Sequence, residues 1–141
     1  EWIEAHKDEY MALLRALGCE EGAWNRWIAF FLTAVVGQAE ENTRKAQAIM
    51  HLYDAMKVRV LELTRSQFAV PLLDQMFSRP IFQSTQLSFA PAQPSRPAVA
   101  MLLRVLRQEG ILHVIRSGAG RRAAVYAFAE LINLCEGRPV L

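Results

Sequence analysis

Three features of the 141-residue sequence predict a mainly α-helical chain that ends in a small β-hairpin. First, apolar residues recur every three or four positions over 24–63, which is the helical repeat. Second, a shorter apolar stripe with the same repeat begins after Ser95 and ends before Gly110. Third, two alternating segments flank a turn of sequence Ser-Gly-Ala-Gly-Arg-Arg at 117–122, as the strands of a hairpin do.

Residues 1–65 are predicted to be helical. The first helix ends at Gly18, and an acidic link up to Gly22 leads into the next. The segment 24–63 predicts one helix of about forty residues, or two helices with a bend near Gly37. Because the first helix can cover only the N-terminal half of this long helix, the other half is expected to need a partner chain or the missing part of the protein. The inward-facing residues are expected to be Ile28, Phe31, Val35, Ala46, Ile49, Leu52, Met56, Val60 and Leu63, with Gln38 and Asn42 interrupting them.

The segment 66–89 is predicted to hold two helices. The first covers 66–77 with Ser66 as its N-cap, and Pro80 stops it. Ile81 and Phe82 are interpreted as a short apolar lead-in. Ser84 is then expected to cap a short helix that runs through Phe89.

The segment after an extended, proline-containing loop at 90–97 carries the clearest local signals. Ser95 is a predicted N-cap, Pro97 lies in the first turn, and the helix runs to Glu109, where Gly110 ends it. Strands are predicted over 111–115 and 125–128, and a closing helical turn over 130–135. This order is typical of a winged helix-turn-helix with a small β-hairpin wing. The predicted domains are therefore helices over 1–65 and a winged helix-turn-helix over 66–141.

Charge is distributed unevenly between these two parts. Residues 1–65 contain eight Lys and Arg against ten Asp and Glu, whereas 66–141 contain eight Arg, no Lys and four Asp and Glu. Arginine suits forked contacts with phosphates and base edges. The alternative is that these arginines are solvated, or contact a protein. The candidate nucleic-acid-binding residues are Ser95, Arg96, Arg104, Arg107, Arg116, Arg121 and Arg122.

The sequence contains no catalytic or metal-ligating constellation. Cys19 and Cys135 lie far apart, outside any Cys-x-x-Cys motif, so a pair of buried free thiols is expected. His6 near Asp8 and Glu9 is interpreted as a solvated helix end. No cofactor or metal is expected in this chain. The aromatic residues Trp24, Trp27, Phe30 and Phe31 are interpreted as a packed helix start.

The longest strongly apolar segment, 27–36, is too short to span a bilayer. No membrane partner is expected, and the expected location is the cytoplasm. Because the first residue is Glu1 rather than Met, the chain is expected to be a processed or excised piece of a longer protein.

In several short segments, the sequence resembles the C-terminal region of bacterial Fic (Fido) proteins. Segments 3–10, 13–14, 27–36 and 38–39 resemble the helices that complete the Fic core. The segments that resemble the winged helix following that core are Ala69-Val70-Pro71-Leu72-Leu73, Arg79-Pro80-Ile81-Phe82, Ser95-Arg96-Pro97 and Glu109-Gly110-Ile111-Leu112. The resemblance covers nearly the whole chain.

The resemblance implies that the parent protein transfers AMP from ATP to a hydroxyl of a target protein, with ATP and Mg as the family's cofactors. The family's catalytic loop, H-P-F-x-(D/E)-G-N-G-R, is absent, since His6, His51 and His113 are followed by Lys7, Leu52 and Val114. The inhibitory motif S/T-x-x-x-E-G/N is also absent, because Leu17 precedes Glu21-Gly22 at the required position. This chain is therefore expected not to be an enzyme by itself.

The sequence thus predicts a non-catalytic accessory or regulatory region of a Fic-type AMP transferase that acts by protein recognition or self-association. The expected partners are the missing Fic catalytic core and a second copy bound through the long helix. The alternative is a DNA-binding winged helix of a Fic-linked transcriptional regulator, with double-stranded DNA as its partner. A share in an AMP-transferase site through the first helices is a third hypothesis.

Overall fold

A computed structural model describes residues 2–89, 92–120 and 122–141. The chain is mainly helical, contains one long helix, and has a small antiparallel sheet, as predicted. It divides into two compact units, Glu1–Gln47 (unit 1) and Ala48–Leu141 (unit 2). The division falls within the long helix, before the predicted domain junction at 65–66, and the domain assignment remains a prediction.

Unit 1 consists of α1 (Trp2–Ala5), α2 (Lys7–Ala16) and the first part of α3 (Ala23–Thr64). The 42 residues of α3 form a single helix, the first of the two predicted alternatives. Gly37 gives the Trp2 ring room against α3, because a Cβ at Gly37 would lie 2.5 Å from Trp2 Nε1. The Trp2 amide also donates to Gln38 Oε1 at 3.0 Å. Gly37 therefore marks a contact site of α1.

The buried face of α3 in unit 1 differs from the predicted one. The buried apolar residues described there are Ala23, Phe30 and Ala34, whereas Ile28 and Val35 are exposed. The predicted helical period is correct, but the inward-facing stripe was assigned to the wrong side in this part of the helix. Two apolar stripes run along this segment, and α1 and α2 cover the one that contains Phe30. In unit 2 the predicted residues Leu52, Met56 and Val60 are buried.

Unit 2 contains the remainder of α3 together with α4 (Ala69–Ser78), α5 (Arg96–Gln108) and α6 (Ala129–Glu136). The predicted N-cap at Ser66 is wrong, because α4 begins three residues later and the Ser66 hydroxyl instead accepts from the Phe68 amide at 3.1 Å. The largest fully buried side chains of the unit are Phe128, Leu72, Leu73, Met76, Leu106, Leu112 and Val60. These side chains form one continuous apolar core.

A polar contact joins α3 to α4 at the edge of this core. The Tyr53 hydroxyl donates to Asp74 Oδ1 at 2.6 Å. This hydrogen bond, together with partial burial and the negative charges of Asp74 and Asp54, raises the pKa of Tyr53 above its ordinary value. The contact is therefore present throughout the neutral range and is lost only as the phenol ionises at high pH.

The sheet of unit 2 is antiparallel, with strand order β1–β3–β2. It is formed by β1 (Ile81–Gln83), β2 (His113–Arg116) and β3 (Val125–Ala127). The predicted apolar lead-in at Ile81 and Phe82 is thus a strand that pairs with β3. A strand of three residues is too short for alternating apolar and polar residues to reveal it in the sequence. Its pairing partner also lies more than forty residues away.

Two boundaries around the sheet differ from the predictions. The helix predicted from Ser84 through Phe89 is only a 3₁₀ turn, Ser84–Gln86, and Gln83 rather than Ser84 caps it. Strand β2 begins at His113 rather than at residue 111, because the amides of Ile111 and Leu112 both donate to the Leu106 carbonyl and close the end of α5. Gly110, with φ +72°, supplies the left-handed residue at this helix end, as predicted.

The predicted N-cap of α5 is confirmed. The Ser95 hydroxyl accepts from the Ala98 amide at 3.4 Å, and Pro97 lies in the first turn. We expect Ser95→Ala to lower the free energy of unfolding by about 1 kcal/mol, because one amide of the first turn loses its acceptor. Urea denaturation followed by circular dichroism measures the change. Ser95→Asp keeps a capping oxygen and is the control; equal loss in both variants would contradict this role of the hydroxyl.

Candidate functional site

The candidate arginines on α5 lie on one face of the helix. Leu102, Leu103 and Leu106 are buried on the side of the helix that is turned toward the core of unit 2. Arg96, Arg104 and Arg107 are exposed and are spaced eight and three positions apart, so they project to one side of the helix; they are called here the α5 arginine face. From Arg96 to Arg107 the face extends about 16 Å along the helix axis.

The residues between these arginines are small or apolar. Pro97 and Ala100 lie on the same exposed side, and the Met101 side chain beside them is 66% exposed. None of these three side chains can donate or accept the hydrogen bonds with which proteins distinguish base pairs. Gln108 is an exposed amide side chain in the last turn. The face therefore presents positive charge with little capacity to read sequence.

The other predicted site residues lie on β2 and on the turn that follows it. Arg116 is the last residue of β2 and is exposed. Arg122 is exposed, and its backbone forms a bridge with Ala119 through hydrogen bonds of 3.0 and 3.1 Å. Arg121 lies outside the described residues. In the described part of the chain, no hydrogen bond or ion pair joins Arg116 or Arg122 to the α5 arginine face.

The glycines of this turn have a structural role. A Cβ at Gly118 would lie 3.2 Å from both the Ala124 amide nitrogen and the Arg122 carbonyl oxygen. Gly120 has a φ of +56°, which side-chain-bearing residues rarely adopt. The glycines thus allow the chain to reverse tightly and place Arg122 on the surface.

The positive charge of unit 2 is not neutralised by nearby carboxylates. Unit 2 contains eleven Lys and Arg against six Asp and Glu, whereas unit 1 has a formal charge of −3. In the ranges that the structure describes, no ion pair involves the α5 arginine face, Arg116 or Arg122; Lys45 pairs with Glu41 in unit 1. These arginines are therefore available to an anionic partner.

A groove of about 530 Å³ lies beside the N-terminal half of α5. Its apolar floor is formed by Val99, Leu103 and Tyr126, and Arg96 lies on its rim. Ser84 and Thr85 of the 3₁₀ turn also line this groove.

A second candidate surface was missed by the sequence interpretation. Six large apolar side chains in the unit 1 part of α3 are 42–61% exposed and follow one another at intervals of one to four residues. We call this surface the α3 apolar face; it consists of Trp24, Ile28, Phe31, Leu32, Val35 and Val36. The predicted packed helix start is therefore wrong for Trp24 and Phe31, although Phe30 is buried. A count of the apolar positions over 24–36 would have revealed the α3 apolar face. These positions form two stripes, and α1 and α2 are too short to cover both.

The structure provides no group of three or more His, Cys, Asp or Glu side chains arranged for a metal ion among the described residues. Cys19 and Cys135 are free, as predicted, but both are exposed rather than buried. The described helices include none that is both long and apolar enough to cross a membrane.

No protein-family model matches this chain, and no curated protein matches it significantly.

Proposed function

We propose that this chain is a non-catalytic accessory region of a Fic-type protein AMP transferase, and that it acts by protein recognition through the α3 apolar face. The proposal rests on the resemblance of its segments to the C-terminal part of Fic proteins and on one structural observation. That observation is an apolar helix face left uncovered in a unit whose described buried residues are Ala23, Phe30 and Ala34.

The size of the face supports a protein partner. Its exposed fractions correspond to on the order of 600 Å², at the upper end of the largest apolar patch of a typical monomer. Trp24 and Phe31 are aromatic residues of the kind that anchor protein interfaces. The Fic catalytic core that the resemblance implies is the first partner that we propose, and a second copy of the chain is the other.

We also propose that residues 66–141 form a winged helix. The order helix, strand, helix, strand, turn and strand supports this assignment, as does the antiparallel strand order β1–β3–β2. The first helix of the helix-turn-helix pair is represented only by the 3₁₀ turn Ser84–Gln86.

The recognition function is tested with Leu32→Glu, which places a charge at the centre of the α3 apolar face. We expect the variant to bind the Fic catalytic core, supplied as a separate polypeptide, at least about 30-fold more weakly, since a buried unpaired charge costs about 2 kcal/mol or more. Isothermal calorimetry measures this affinity, and light scattering over a range of concentrations measures self-association.

Thr33→Glu is the matched control, because Thr33 is the neighbouring exposed residue and lies off the apolar face on the same helix. It should retain partner binding. A wild-type chain that remains monomeric at high concentration and does not bind the catalytic core would overturn the proposed recognition function.

A further inference from the structure

We propose that the groove beside the N-terminal half of α5 binds an acidic peptide segment of a partner protein, in which one large apolar side chain stands next to an aspartate or glutamate. This cavity of about 530 Å³, whose floor is Val99, Leu103 and Tyr126, is called here the α5 groove. It lies in unit 2 and shares no residue with the α3 apolar face, so the inference is independent of the recognition function proposed above. The apolar floor, the charge of the rim and the neutral hydrogen-bonding groups around it carry the proposal.

The floor of the α5 groove is apolar and is held in place by the core of unit 2. Leu103 is buried on α5, and the half-buried Val99 lies one turn earlier on the same helix. Tyr126 is the central residue of β3, where it pairs with Phe82 of β1 and Val114 of β2, and its ring stacks on the Phe82 ring with centroids 5.9 Å apart. A concave apolar floor that is already formed favours a large apolar side chain, because the bound side chain leaves water without any reordering of the protein.

The rim of the α5 groove favours a negatively charged ligand. Arg96 is exposed on this rim, and no carboxylate is among the described residues that line the groove. In the sequence, four arginines and no acidic residue lie between Asp74 and Glu109. Since a guanidinium can form two parallel hydrogen bonds with a carboxylate, charge complementarity favours a carboxylate directly beside the apolar side chain of the ligand.

Neutral hydrogen-bonding groups around the floor match the backbone of a peptide. Ser84 and Thr85 contribute hydroxyls from the 3₁₀ turn. Gln93 contributes an amide whose oxygen accepts from the Phe89 amide at 3.0 Å, which leaves its NH₂ group as a donor. Within the described ranges, no hydrogen bond engages the two hydroxyls or this NH₂ group. A peptide presents carbonyl oxygens on both sides of each side chain, whereas a small carboxylic acid has no such acceptors for these groups.

The α5 groove thus has the arrangement of a small protein interface. Such interfaces have an apolar, often aromatic centre that is surrounded by polar and charged residues. Here Tyr126 and Leu103 form the centre, and Arg96 and the hydroxyls form the rim. An apolar residue followed by an acidic one fits both parts at once.

The proposal is tested by nuclear magnetic resonance titration of the full chain with two capped hexapeptides. The first is acetyl-Gly-Ser-Phe-Glu-Ser-Gly-amide, called the Phe-Glu peptide, and in the second, the Phe-Gln peptide, glutamine replaces the glutamate. We expect the shifts of the amide resonances to concentrate at Val99, Leu103 and Tyr126. The Phe-Glu peptide should bind at least about 10-fold more tightly, because glutamine loses the charge-assisted hydrogen bonds to Arg96. Replacement of the peptide's phenylalanine by alanine should weaken binding by about 10-fold as well.

Three variants of the chain locate the site. Arg96→Gln should remove the preference for the Phe-Glu peptide and leave the affinity for the Phe-Gln peptide within about twofold. Ala100→Glu places a negative charge at an exposed position that lines the groove, and it should weaken binding of the Phe-Glu peptide at least about 10-fold. Arg104→Gln is the matched control, because it removes the same charge from an exposed position of α5 outside the groove. It should preserve the preference, and circular dichroism of each variant establishes that the fold is retained.

Several outcomes would overturn the proposal. They are the absence of shifts at the groove residues at millimolar peptide, equal affinities of the wild-type chain for the two peptides, and equal losses in Arg96→Gln and Arg104→Gln. Binding of phenylpropionate as tight as that of the Phe-Glu peptide would assign the groove to a small acid and would overturn the peptide as its occupant. Leu32→Glu, on the α3 apolar face, should leave peptide binding unchanged, so that a failure of this site is distinguishable from a failure of the proposed function.

Discussion

Phe128→Ala is expected to lower the free energy of unfolding by about 3–5 kcal/mol, the range found for large aromatic residues removed from protein cores. Phe128 is fully buried and lies between β3 and α6. Its ring packs against Phe77 with centroids 5.5 Å apart, and its amide donates to the Pro80 carbonyl at 2.8 Å. Alanine retains the backbone hydrogen bond but leaves a cavity where the core, the sheet and α6 meet.

Urea denaturation followed by circular dichroism measures this loss. Because the chain has two compact units, the unfolding of unit 2 must also be followed by a probe that reports on that unit alone. Amide hydrogen exchange in β3 and α6 provides one, since Trp2, Trp24 and Trp27 all lie in unit 1 and aromatic spectroscopy would report mainly on that unit. Phe128→Leu fills much of the cavity and should cost less than half as much. A loss below about 1 kcal/mol for the alanine variant would show that the site is not part of a closely packed core.

Leu106→Ala is the second large expected effect, at about 2–5 kcal/mol. Leu106 is fully buried on the inward face of α5, and its carbonyl accepts from the amides of Ile111 and Leu112. Removal of its side chain weakens the attachment of α5 to the core at the point where the chain turns toward β2.

Met101→Ala is the matched control on the same helix, since its side chain is 66% exposed. It should change the free energy of unfolding by about 0.5 kcal/mol or less. Thermal and urea denaturation of both variants test the difference. If the two substitutions destabilised the chain equally, the assignment of inward and outward faces on α5 would be wrong.

The predictions from sequence were most accurate where a single segment contained all the necessary information. For α5, the serine cap, the proline in the first turn, the leucine spacing and the terminal glycine all agree, and the observed helix differs from the predicted one by about a residue. The same agreement placed three arginines correctly on one exposed face. Their partner remains a prediction, because charge on a surface specifies a class of ligand but not its identity.

The capping predictions at Ser66 and Ser84 were wrong for a common reason. A serine before an apolar run can cap a helix, but its hydroxyl can also bond locally within a turn. Ser66 accepts from the amide two residues later, and α4 begins at Ala69. At Ser84, the preceding residues pair with β3 as a strand, and the 3₁₀ turn that follows is capped by Gln83.

By itself the sequence determined the helical period of α3, the limits of α5, the glycine turns and the concentration of arginine in the last third, because these depend on neighbours within a few residues. It left open whether α3 is one helix or two. Tertiary structure alone decided that Ile81–Gln83 is a strand and that the stripe containing Phe30, rather than the one containing Phe31, is buried. Strand pairing and burial depend on residues distant in the chain. Two apolar stripes on one helix are equivalent until another helix covers one of them.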